Sequence, residues 1–205
     1  ASVSLTNAGI ISAGVSRAVD FENAGTVTIN NSSTASSLSA ASFHAIYAAS
    51  ASGSLSLTNV GDVRAFNRTI DFKDAEGSIT ISNSGTIQST HSLVDADADL
   101  ALNFVIDASR GGSASADVDV TNSATGAITT ASDRAIGLRA FDSASDTVTI
   151  VNAGTISAGR DKALDLNGSR AVMLTQSASA SLSAGRDLAV DATGVLTSLT
   201  VVNAG

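Results

Sequence analysis

The sequence predicts an all-β chain wound as a right-handed parallel β-helix of about eight coils of ~24–30 residues. Three observations carry that expectation. One segment recurs from end to end: S-V-S-L-T-Asn7-A-G, T-V-T-I-N-Asn31-S-S, S-L-S-L-T-Asn59-V-G, S-I-T-I-S-Asn83-S-G, D-V-D-V-T-Asn122-S-A, T-V-T-I-V-Asn152-A-G, A-V-M-L-T-Gln176-S-A and S-L-T-V-V-Asn203-A-G. Apolar residues within it alternate with Ser and Thr, the period-two pattern of a half-buried strand. Finally, the 205 residues contain no Pro, so the backbone is free to feed inter-coil hydrogen bonds throughout. A repeat in the twenties cannot bury its apolar face alone and must stack on its neighbours.

The coil running from Thr147 to Leu166 shows each part in order. Val148 and Ile150 share one face of a first strand, with Thr147 and Thr149 on the other. Asn152-Ala-Gly154 follows as a turn, read here from the tolerance of Asn and Gly for left-handed backbone. Ile156 opens a very short second strand. Ser157-Ala-Gly159-Arg160-Asp161 is a second turn and returns as Ser183-Ala-Gly185-Arg186-Asp187. Ala163-Leu164-Asp165-Leu166 is the third strand, its leucines inward. Its counterparts carry Asp20, Asp71, Asp107 and Asp191. A left-handed hexapeptide helix would show an apolar residue every sixth position and coils of ~18 residues, a pattern absent here. With strands ~4.8 Å apart, the stack should be close to ~40 Å long. The widest interval, between Asn83 and Asn122, leaves room for a loop excursion over residues 90–101.

Composition narrows the function classes. The net charge of −8 and pI near 4.4 argue against nucleic acid and anionic membrane, both of which require a basic footprint. There is no Cys for a disulfide or thiolate metal site, and no apolar run of the ~18 residues that span a membrane. Both ends fall inside the repeat, so residues 1–205 are expected to be a single segment of a larger repetitive protein, with uncapped ends able to stack head to tail.

The V-x-I-x-N-x-G-x-I coil, free of Cys and Pro and poor in aromatics, resembles the passenger domains of autotransporters. These are surface-exposed right-handed β-helices of Gram-negative bacteria, and filamentous haemagglutinin-type adhesins share their look. The resemblance covers the whole chain. It implies export through an outer-membrane barrel, folding outside the cell, and a role in adhesion, self-association or as a surface stalk. Its implied partners are further copies of the chain or a glycan or protein on a neighbouring surface. It implies no single activity, because the scaffold hosts many.

Each polar pattern is weighed against the fold. Stacked Asn residues suit an amide ladder that satisfies buried groups. The third-strand row Asp20, Asp71, Asp107, Asp165 and Asp191 has the residue type of a polysaccharide hydrolase pair or a cation site. Tyr47 and Gly137 interrupt it, however, and Arg17, Arg68, Arg134 and Lys162 are placed to neutralise it, so a solvated, partly paired face is expected. Asp95, Asp97 and Asp99 suggest calcium but lack the Gly and distal Glu of an EF-hand loop. His44 and His91, the only histidines, lie almost two coils apart. No nucleophile–base–acid set assembles, so no catalytic, cofactor or metal residue is assigned and no enzyme is expected. The remaining feature is the outward Ser/Thr array of the first strands, which includes Ser4, Thr28, Ser56, Thr80, Thr149 and Thr200. Such a face suits solvent, a second copy, carbohydrate or, less well given Asp119 and Met173, ice.

Overall fold

The computed structural model describes residues 1–90, 104–110, 116–131, 134–139, 141 and 145–204. Among these there are strands and turns but no helix. The strands form three parallel sheets of eight, seven and seven members, each sheet taking one strand from every coil. The chain is thus a three-faced parallel β-solenoid. Its last repeat contributes only the strand Ser198–Asn203 to the first sheet, so the stack is slightly shorter than the eight full coils expected.

Register follows the sequence repeat directly. Asn7 stands beside Asn31, Asn31 beside Asn59, and so on through Asn83, Asn122 and Asn152 to Gln176 and Asn203. A one-residue slip would turn every Val and Ile of a strand to solvent, so the apolar alternation locks this alignment. Ile29, Leu57, Ile81, Val120, Ile150 and Leu174 form one inward row of the first sheet. Leu38, Val63, Ile87, Ile128 and Ile156 form the matching row of the second. Each such side chain contributes about 1.5–3 kcal/mol through burial. Among the described residues, Phe72 and Phe141 are buried phenylalanines in a mostly aliphatic core.

The corners depart from the sequence expectation. Neither Asn152 nor Gly154 adopts left-handed backbone. Among the described residues, positive φ occurs at Asn23, Ser50, Asp74 and Gly168. All four lie three residues beyond the third-strand aspartate position, after Asp20, Tyr47, Asp71 and Asp165 respectively. The left-handed bend therefore belongs to the corner that returns the chain to the first sheet. Gly85 and Gly154 serve a different need. A Cβ on Gly85 would meet the backbone of Val60 and Gly61, and one on Gly154 the backbone of Ser123 and Gly126. Successive corners pass too closely for a side chain, and glycine permits that approach. The excursion expected over residues 90–101 lies, from residue 91 onward, outside the described residues.

Candidate functional site

Two polar rows run along the solenoid. The first is the amide ladder. Asn7 Nδ2 donates to Asn31 Oδ1 at 2.9 Å, and the same bond repeats from Asn31 to Asn59, Asn59 to Asn83, Asn83 to Asn122, Asn122 to Asn152 and Asn152 to Gln176, all within 2.8–3.0 Å. The second amide hydrogen is used as well. Asn59 Nδ2, for example, donates to Gly61 O at 3.0 Å and Thr86 O at 3.2 Å, which fastens the corner to the next coil. These side chains are buried, so each bond fills a group that would otherwise be desolvated and unpaired.

The second row, on the outer face of the third sheet, is where the chemistry of the chain gathers. Asp71 is the direct register partner of Asp107 in the next coil, and Asp165 of Asp191. The expected solvated face is corrected here: Asp71 and Asp107 are each 2% exposed, and Asp165 and Asp191 are also buried. Asp20, in the first coil, is exposed. Burial is tolerated because every one of these carboxylates receives a cation. Arg17 Nη1 donates to Asp20 Oδ2 at 2.6 Å. Arg68 Nη1 reaches both Asp71 Oδ2 at 3.0 Å and Asp107 Oδ2 at 3.2 Å. Arg134 Nη1 donates to Asp165 Oδ2 at 2.7 Å, and Lys162 Nζ to Asp191 Oδ2 at 2.5 Å. The four cations named from the sequence all take this role.

The sequence reading missed Arg139, whose Nη2 donates to both oxygens of Asp107 at 2.8 and 2.7 Å from the following coil. It also missed the second duty of the aspartates. Asp191 Oδ1 accepts from Thr193 N at 3.0 Å, and Asp20 and Asp165 bond the nitrogen two residues on in the same way. This Asx geometry closes the corner, and the aspartate recurring at the end of the short third strand was its signal. Asp71 Oδ1, by contrast, is buried without a partner, because its strand runs on to Ala75 in place of turning.

Charge states follow from these contacts. Burial pushes the Asp71 and Asp107 carboxyls up, against the opposing pull of Arg68 on the first and Arg139 on the second. The hydrogen bond from Lys162, joined by the Thr193 backbone, holds Asp191 down at about 2. His44 stacks on Tyr47 with centroids 5.5 Å apart, and its Nε2 lies 3.6 Å from Asp71 Oδ2. Burial, then Arg68 and Arg17, lower it to about 4. Among the described residues no group of three or more His, Cys, Asp or Glu is placed to hold a metal ion. Asp95, Asp97, Asp99 and His91 lie outside the described residues.

The outer face of the first sheet is a different surface. Ser4, Thr28, Ser56, Thr80, Asp119, Thr149, Met173 and Thr200 fall in one register row. Thr28, Thr80 and Thr200 are exposed, and Asp119 and Met173 interrupt the hydroxyls as expected. No helix among the described residues is long and apolar enough to cross a membrane. No protein-family model, curated protein or solved structure matches the chain.

Proposed function

We propose that this chain is a non-enzymatic, adhesive or self-associating segment of an autotransporter-type passenger displayed on the surface of a Gram-negative bacterium. The observation that carries the reading is the occupancy of the third-sheet aspartates. Hydrolysis asks for two carboxyl groups free to reach a substrate across a cleft. Here Asp107 has both oxygens on Arg139, while Asp20, Asp71, Asp165 and Asp191 each give one oxygen to a cation. These groups serve the stack. What the chain offers a partner is the long hydroxyl face of the first sheet, uncharged through its first four coils.

A glycan array and a bead-aggregation assay test this reading, alongside an activity screen on acidic polysaccharides. Binding or aggregation that is lost in Thr28→Lys/Thr80→Lys, with the β-sheet circular dichroism unchanged, is the expected result. Release of new chain ends from a polysaccharide, abolished by Asp71→Asn or Asp107→Asn, would replace the reading with the enzymatic one.

A further inference from the structure

In the third-sheet row, three coils place a cation three residues before an aspartate: Arg17 before Asp20, Arg68 before Asp71, Lys162 before Asp165. The second coil carries His44 before Tyr47 at the same positions. It sits between two coils whose cations are permanently charged guanidinium groups, whereas the charge of a histidine depends on pH near neutrality. We propose that His44 is a proton-operated latch: neutral, it keeps the third-sheet strands of the first three coils joined, and protonated, it loosens them.

The packing around the ring explains why a proton is disruptive. His44 is buried, Arg17 lies 3.4 Å from the Tyr47 ring centre, and His44 stacks against that same ring. Arg68 comes from the third coil. A charged imidazole therefore enters between two guanidinium groups. The anions facing it among the described residues are Asp20, Asp71 and Asp107. Asp20 is engaged by Arg17, Asp71 by Arg68, and Asp107 by Arg68 and Arg139. The nearest carboxylate, Asp71, is itself raised by burial, against the pull of Arg68. Nδ1 of His44 is buried with no partner, leaving its added proton unsatisfied.

The direction of the pH effect follows from linkage. With a folded value of about 4 against 6.5, the opened segment binds the proton more tightly. The stabilisation is complete above the ordinary histidine range and is lost as pH falls from there towards 4.

Hydrogen exchange read by NMR tests the latch in the intact chain. The amides to follow are Ala18, Val19 and Phe21, bonded to His44, Ala45 and Tyr47 carbonyls, and Ala45 and Ile46, bonded to Thr69 O. Between pH 7 and 4.5, after correction for intrinsic rates, their protection should fall about tenfold or more. Protection at Ile136 and Leu164, in the fifth and sixth coils, should hold, and His44→Phe should remove the acid loss from the first coils. An equal acid loss in His44→Phe overturns the proposal. So does an imidazole proton shift in the unmodified chain that titrates near 6.5, a measurement that needs no variant to fold.

Discussion

Lys162 Nζ bonds Asp191 Oδ2 in the coil that follows it, although Asp165 stands three residues ahead in its own coil. The same forward step occurs one coil earlier. Gly137 stands at the aspartate position of the fifth coil, and Arg134 reaches Asp165 of the sixth at 2.7 Å. Fifth to sixth and sixth to seventh coils are thus each joined by a cation bonded to the next aspartate along.

Lys162→Met should release Asp191 from about 2 towards the ordinary carboxylate range. In the unmodified chain this contact stabilises above the unfolded carboxylate value, and the benefit is lost as pH falls through about 2. Carboxyl-carbon NMR through an acid titration reads the shift directly. An Asp191 that titrates identically with and without the lysine would show that Thr193 alone holds it.

Arg68→Met leaves Asp71 without its cation and Asp107 with Arg139 only. Removing one partner of a buried pair costs about 3–5 kcal/mol. Both carboxyls then rise further, so the loss should be largest at pH 7 and shrink on acidification as they take up protons. Urea denaturation of both chains at pH 7 and pH 4 checks the sign; a gap that is constant or grows in acid contradicts it.

Asn59→Ala removes a rung from the middle of the amide ladder, stranding the donor of Asn31 and the acceptor of Asn83. Two buried unsatisfied groups correspond to about 2–6 kcal/mol. Asn59→Gln should cost less, because Gln176 already accepts from Asn152 in the same row. Chemical denaturation of the two variants side by side decides the order.

Gly85→Ala drives a methyl group into the backbone of the preceding corner and should destabilise by about 1–3 kcal/mol. Gly9, in the first coil, has nothing within 4 Å of its would-be Cβ. Gly9→Ala should be neutral or stabilising by about 0.4–1 kcal/mol through the unfolded chain. Thermal melts of the pair test whether glycine here is kept for close approach.

The register of the coils was legible because Asn7 through Asn203 recur at one place in an apolar alternation that admits no slip. The cationic partners were legible too, since Arg17 and Arg68 stand three residues from Asp20 and Asp71. Burial of Asp71 and Asp107 was not. Strand alternation says only that a side chain leaves the core, and whether water or a guanidinium meets it depends on neighbouring coils. Arg139 escaped notice for the same reason, because its target lies 32 residues back. The corner glycines and asparagines invited a dihedral explanation, whereas the close passage of backbones and the side-chain amides decide those positions.

The six rungs from Asn7 to Gln176 all point the same way, each nitrogen giving its hydrogen to the carbonyl of the next coil towards the C-terminus. The row is therefore a file of aligned amide dipoles that add along the axis. It gives the rod an electrical head and tail, and in a pulsed field such a rod should orient with one sense, a torque that transient birefringence can weigh and that the Asn59→Ala break would reduce.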